Sequence, residues 1–240
     1  MYKKNYKNVV SIGCSFSVAM REYSNVDKSY GDYVAKYFGA KSINLSKSGT
    51  SNYRIYRKLY EWCLQNKNEI QDTLFIAGLT QEFRLEYWYD KLKKWFRINV
   101  RALIEKEDLK CDYLGDIGIG KKIDWEYKER IKFFDNFLSN EMYLKLTQMQ
   151  MLIGLQSFLK SNGGDFLFFD SISHFSDKTD KINYDYFDLF VDKKYFYIDE
   201  NNFNFDLWIR SKKLYCKDEW HPNQQAHYLW SKKLINFINT

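Results

Sequence analysis

Asn8-Val-Val-Ser-Ile-Gly13 is a short β-branched run ending on glycine; Cys14-Ser15-Phe16-Ser17, an irregular segment and an amphipathic stretch from Tyr30 to Phe38, closed by Gly39, follow it. A β-branched run stopped by a turn residue predicts a strand, and apolar residues at helical spacing before a glycine predict a helix with its C-terminal cap. This unit of strand, loop and helix repeats. Lys41-Ser-Ile-Asn-Leu-Ser46 reads as a second strand. Thr50 to Gln65, with Tyr53, Tyr56, Leu59, Tyr60, Cys63 and Leu64 on one face, reads as a helix capped by Thr50 or Ser51. Thr73-Leu-Phe-Ile-Ala-Gly78 is an apolar run bounded by polar residues, as expected of a strand covered on both faces of a parallel sheet.

Farther along, a long helix from about Asn140 to Ser161 ends at Asn162-Gly163-Gly164 and feeds a strand, Asp165-Phe-Leu-Phe-Phe169. Asn223 to Ile238 is a final helix, with Ala226, Leu229, Trp230, Leu234 and Phe237 at helical spacing. Strands alternating with helices imply right-handed crossovers and an α/β fold, a three-layer α/β/α sandwich around a mostly parallel sheet. Two stretches break the alternation. Gln81 to Phe137 mixes aromatics, charges and a glycine cluster (Gly115, Gly118, Gly120), which predicts an inserted cap of short helices, with a lid over a substrate cleft as the functional alternative. Ser171 to Lys213 is a second insertion, holding Tyr184, Tyr186, Phe187, Tyr195, Tyr197, Phe203 and Trp208, rings that serve either as core or as stacking surfaces for sugars. With no flexible boundary in 240 residues, the expectation is one domain, 1–240, carrying both insertions.

Composition narrows the class. The net charge of +6 comes from 37 basic and 31 acidic residues scattered together. No dense basic block or zinc-finger spacing marks a nucleic-acid module, and the charge reads as a soluble surface with a mild lysine excess. Cys14, Cys63, Cys111 and Cys216 form no C-x-x-C pair, so the sequence proposes neither a metal site nor a redox motif, and a reducing cytoplasm fits them. Lys3, Lys4 and Lys7 before Val9 to Met20, with Ser17-Val-Ala19 after, imitate an export signal. Ser11, Ser15 and Ser17 interrupt its apolar run, and no stretch approaches the ~20 apolar residues of a membrane helix. No cofactor is expected, and the oligomeric state is left open.

The chemistry is carried by the chain's two ends. Asp218 and His221, in Cys216-Lys-Asp-Glu-Trp-His-Pro-Asn223, stand three residues apart just before the last helix, close enough for the carboxylate to fix the imidazole tautomer in one turn. Such a base needs a nucleophile, and Ser15, on the turn after the first strand, supplies one; Cys14 beside it is an alternative. In open α/β sheets, sites form beyond the carboxyl ends of the strands, where Ser15, Gly49, Thr80 and the Asp218/His221 loop all fall. His174, after the fourth strand, is a rival base without a carboxylate at the same tight spacing, and His227 lies within the last helix as a surface or core residue.

Gly13-Cys-Ser15-Phe-Ser17 resembles the first block of the SGNH (GDSL-like) hydrolase superfamily, with Cys14 where aspartate is common. Asn44-Leu-Ser-Lys-Ser-Gly49 looks like its second block, and Asp218-Glu-Trp-His221-Pro-Asn223 is similar to its last. The resemblance implies the flavodoxin-like fold of that superfamily and a serine esterase in which Ser15 attacks an ester carbonyl, His221 takes its proton and Asp218 orients His221. It also implies an oxyanion hole built from the backbone N–H groups of Ser15 and Gly49. The third block departs from the pattern: Gly78-Leu-Thr80-Gln81 puts threonine where the family places an asparagine donor. Thr80 or Gln81 then has to replace it, and losing one such donor costs roughly 100- to 1,000-fold in rate. Divergent members look similar in having threonine followed by arginine, as in Thr80-Gln-Glu-Phe-Arg84, which makes Arg84 a substrate-anion or structural residue. Asn52 and Arg54 either face the cleft or serve as a cap and a solvated helix face. The substrate expected is a small-molecule or glycan ester, with an acetylated carbohydrate as the leading reading. The alternatives are acyl transfer to a sugar hydroxyl by the same site, or a catalytically weak carbohydrate- or phosphate-binding protein that kept the fold.

Overall fold

A computed structural model describes residue 2 and residues 5–19, 25–90, 93–99, 141–178 and 181–240. In chain order its elements are β1 (Asn8–Ile12), a 3-10 turn (Ser15–Ser17), α1 (Tyr30–Phe38), β2 (Lys41–Asn44), α2 (Asn52–Gln65), β3 (Thr73–Leu79), β4 (Arg84–Tyr89), β5 (Lys94–Asn99), α3 (Glu141–Ser161), β6 (Asp165–Asp170), α4 (Lys181–Phe190), β7 (Phe196–Tyr197), α5 (Phe205–Lys212) and α6 (Gln224–Asn239). The main sheet has the order β2-β1-β3-β6-β7, and every neighbouring pair in it is parallel.

Both faces of this sheet are covered, which is why β1 and β3 are buried throughout and mostly apolar. Side chains alternate across a strand, so sequence neighbours enter opposite cores. Val10, Ile12, Phe75 and Phe168 pack with Ile55, Leu59, Leu152, Leu155 and Phe187 from α2, α3 and α4. Val9, Leu74, Ile76 and Phe169 pack with Tyr30, Val34, Phe205, Ile209, Trp230 and Leu234 from α1, α5 and α6. The result is the expected three-layer α/β/α sandwich. Among the described residues, no helix is long and apolar enough to cross a membrane.

Two expectations change. Where a cap of short helices is expected after Gln81, β4 and β5 form an antiparallel hairpin of their own. It is tied to α2 by the Arg57 guanidinium, whose Nε and Nη2 each lie 3.0 Å from a carboxylate oxygen of the buried Glu86 and whose carbon sits 4.3 Å from the centroid of the Trp95 ring. Residues 91–92 and 100–137 lie outside the described residues, and with them the glycine cluster and the lid. In Ser171 to Lys213 the structure has α4, β7 and α5, and most of the rings there are core. Phe187 and Phe205 are fully buried and Trp208 nearly so. Phe187 meets Phe196 at 4.8 Å and Phe205 stacks on Trp230 at 4.6 Å, so these rings are consumed by packing, whereas Tyr186 and Phe190, stacked at 6.0 Å, are exposed.

Candidate active site

β1 hands the chain directly to the turn that carries Ser15. Cys14 has extended backbone angles, and the Ser17 N–H then closes on the Cys14 carbonyl at 3.0 Å to make a single 3-10 turn. Three contacts fix this turn. The Tyr30 hydroxyl donates to Ser17 Oγ at 2.8 Å, Asn44 Nδ2 donates to the Ser17 carbonyl at 2.9 Å, and the Lys47 N–H reaches the Gly13 carbonyl at 3.1 Å. Ser17 Oγ lies so close over Gly13 that a Cβ there would be 2.1 Å from it, which explains the glycine. Cys14 turns into the core beneath α1 and α6 and is wholly buried, whereas Ser15 keeps 7% of its surface. Burial in the core removes Cys14 as an alternative nucleophile.

The Asp218/His221 loop is a small hairpin. Tyr215 bridges Pro222, the Cys216 N–H bonds the His221 carbonyl at 2.7 Å, and the Glu219 N–H bonds the Cys216 carbonyl at 2.9 Å. One oxygen of Asp218 accepts the N–H groups of Trp220 (2.9 Å) and His221 (3.0 Å), and the other lies 2.6 Å from His221 Nδ1. Nδ1 therefore faces the carboxylate, and Nε2 is the nitrogen left for chemistry. Burial pulls the Asp218 carboxyl upward, but those two N–H groups and the imidazole outweigh it and hold the group below the usual carboxylate range. Asn223 caps α6 through the Ala226 N–H at 2.9 Å. Gln224 then clamps the loop ahead of α1, accepting from the Asp27 N–H (2.7 Å) and donating to the Lys28 carbonyl (2.9 Å). With the N-terminal and C-terminal segments joined this way, the His221 ring lies 5.7 Å from that of Phe16, the residue after Ser15. Among the described residues the Ser15 hydroxyl makes no hydrogen bond, to His221 or to any other group.

The loops after β2 and β3 complete this edge. Gly49 has φ +66°, a left-handed angle that favours glycine. Neither its N–H nor that of Ser15 finds an acceptor among the described residues. Nearby, the hydroxyls of Ser46 and Thr50 are buried without a partner. Thr80 is wholly buried. Its N–H donates to Asn52 Oδ1 at 2.8 Å, and its hydroxyl accepts from Arg84 Nη1 at 3.1 Å, so the hydroxyl proton is the only donor it has left. Gln81 is half-buried in the turn that follows, its carbonyl accepting the Arg84 N–H at 3.3 Å.

Asn52 is neither a solvated helix residue nor a cleft residue. It is fully buried, and its Nδ2 donates to the Thr80 carbonyl (2.7 Å) and to Gln148 Oε1 (2.6 Å). Gln148 in turn donates to the Glu82 carbonyl at 2.5 Å. Together the two amides hold the loop after β3, a role that sequence spacing does not reveal because Gln148 comes from α3. Arg54 is also engaged: its Nη1 donates to the Leu45 carbonyl at 3.1 Å, while its N–H is capped by Ser51 Oγ at 3.3 Å. His174 is exposed and has no carboxylate partner among the described residues. His227 is core: the Tyr30 N–H donates to its Nδ1 at 3.3 Å, and burial, weakly opposed by Asp32, pushes its imidazole down to about 3.

A cavity of about 430 Å³ adjoins the turn, lined by Val18, Ala19, Asp27, Lys28, Asp32, Asn44 and Ser46. Among the described residues no three His, Cys, Asp or Glu side chains gather closely enough to hold a metal ion.

No protein-family model matches the chain, and no curated protein matches it. Solved structures do. A catalytic mutant of Axe2, an acetylxylan esterase from Geobacillus stearothermophilus, is similar with a TM-score of 0.53 and 10% identity, covering 100% of this chain and 97% of that one. Another Axe2 mutant from that organism, described as an acetyl-xylooligosaccharide esterase, is similar with a TM-score of 0.52 and 12% identity, again covering 100% and 97%. The likeness is one of fold, that of an α/β/α sandwich around a parallel sheet.

Proposed function

We propose that this chain is a divergent SGNH hydrolase, a serine esterase that removes an acyl group, acetyl, from a carbohydrate or similar polar ester. The observation that carries the reading is the Asp218–His221 contact of 2.6 Å in a rigid loop whose imidazole packs 5.7 Å from Phe16, next to Ser15. In this reading His221 Nε2 removes the Ser15 proton as Oγ attacks the ester carbonyl, and Asp218 stabilises the imidazolium that forms. The tetrahedral oxyanion is met by the unengaged N–H groups of Ser15 and Gly49. Its collapse breaks the ester C–O bond, and the imidazolium gives its proton to the departing alcohol. Water, activated by the same imidazole, then releases the acid from Ser15.

Thr80 is the weakest of the three oxyanion donors, since only its hydroxyl proton is unengaged and its side chain is covered. Slow turnover follows. That same observation favours the second reading, a weakly catalytic carbohydrate- or phosphate-binding protein. A third outcome, acyl transfer, uses the same acyl-serine with a sugar hydroxyl in place of water. The sugar preference is supported by the fold likeness to proteins described as acetylxylan and acetyl-xylooligosaccharide esterases. We place the protein in the cytoplasm, in keeping with its free, buried Cys14, Cys63 and Cys216. The test is a panel of acetylated sugars with released acetate measured. Wild type releasing acetate and Ser15→Ala releasing none supports the esterase, and no release by a folded wild type that binds the same sugars favours the binder.

A further inference from the structure

Trp220 stands between Asp218 and His221 and is 63% exposed, more than Trp88 at 45% or Trp95 at 43%. An indole left this open is usually mobile, but this one rises from a fixed turn and is covered on one face. The backbone N–H of Trp220 is bonded to Asp218, in a turn where Glu219 takes a left-handed φ of +61°. One face of the ring is covered by Arg210, whose guanidinium carbon lies 4.9 Å from the ring centroid and whose Nε is fixed by Asp206 Oδ1 at 2.8 Å. The opposite face is left flat and apolar, on a residue that adjoins His221 in sequence.

We propose that Trp220 is the platform on which the sugar ring of the ester's alcohol part stacks, an inference that rests on the esterase reading. In an acyl transfer through serine, the imidazole protonates the departing oxygen, so surface next to the imidazole and away from the serine meets the alcohol and not the acyl group. A pyranose offers an apolar C–H face to an indole and directs its hydroxyls outward, and the rim of Arg210, Asp218 and the exposed Glu219 supplies partners for them. Because Arg210 already covers one face of the ring, part of the side-chain freedom is spent before binding.

The experiment compares kcat/KM on acetylated xylotriose and on triacetin for wild type, Trp220→Ala and Trp220→Phe. Trp220→Ala is expected to raise KM for the xylotriose ester about fivefold to tenfold. Its loss of kcat/KM on that ester should exceed its loss on triacetin at least fivefold, with Trp220→Phe recovering most of the difference. Equal losses on both esters, or no loss on the sugar ester, overturn the assignment. If wild type hydrolyses neither ester, the esterase reading fails, and the platform is then judged by calorimetric titration with xylotriose. Binding that weakens several-fold in Trp220→Ala sustains it; absent binding, or binding indifferent to the substitution, overturns it.

Discussion

Replacing Gly13 with alanine tests whether the turn that presents Ser15 is as tightly determined as its contacts indicate. The new Cβ would lie 2.1 Å from Ser17 Oγ, 2.8 Å from Ser17 Cβ and 2.9 Å from the Gly78 carbonyl oxygen. None of these yields easily. Ser17 Oγ is held by Tyr30 at 2.8 Å, its carbonyl by Asn44 at 2.9 Å, and Gly78 is backbone of the central strand β3. The turn must therefore move outward and break the Tyr30 bond. Overpacking costs about 1–3 kcal/mol and the hydrogen bond about 1 kcal/mol, a total of roughly 2–4 kcal/mol. For a chain of 240 residues, at about 2–4 °C per kcal/mol, Tm falls by roughly 4–16 °C. A displacement near 1 Å at the nucleophile lowers kcat by about 100-fold. Calorimetry and acetate release read the two effects. Gly39→Ala is the control: Gly39 has φ +65° and nothing within 4 Å of an added Cβ, so it costs backbone strain of about 1 kcal/mol without touching the site. A Gly13→Ala protein that melts within 1 °C of wild type and turns over normally would refute the reasoning.

Other substitutions separate the site's parts. Asn52→Leu leaves the buried N–H and C=O of Thr80 unpaired and should cost about 2–4 kcal/mol in urea unfolding, with a parallel fall in kcat as the loop after β3 relaxes. Asp218→Asn keeps an oxygen for the Trp220 and His221 N–H groups but removes the charge beside Nδ1, so kcat should drop about 10³- to 10⁴-fold with the fold intact. His227, held neutral in the fold with its pKa pushed down to about 3, takes up a proton only on unfolding as pH falls below about 6.5. Stability is thus present above that value and is lost toward acid at up to about 1.4 kcal/mol per pH unit. His227→Gln should flatten the fall in urea midpoint between pH 6.5 and 5, and an unchanged slope would contradict the assignment. Burial raises the Cys63 thiol to about 12, so native protein at pH 8 should resist iodoacetamide there, as peptide mass spectrometry would show.

What the sequence announces is what local physics determines. α1 begins and ends at the residues its periodicity and Gly39 indicate, and Asp218 meets His221 across a spacing of three residues that one turn can close. The two-residue β7 is too short to show a period, and its pairing with Phe168 and Phe169 exists only through the folded sheet. The hairpin after Gln81 was obscured by charges that turn out to be its anchor, Glu86 being gripped by Arg57 from α2. Asn52 reads from the sequence as either a cleft residue or a cap, because its partners, Thr80 and Gln148, approach only through tertiary packing. Phe187, Phe205 and Trp208 of the second insertion are core, while Tyr186, Phe190 and, beside His221 in sequence, Trp220 stay open.

The central claim is that Ser15 is an activated nucleophile, and a fluorophosphonate reports this directly. Intact-mass measurement and peptide mapping should show one adduct, on Ser15, formed far more slowly in His221→Ala and absent in Ser15→Ala. A folded wild-type protein that takes no label, or takes it at another residue, would contradict the account.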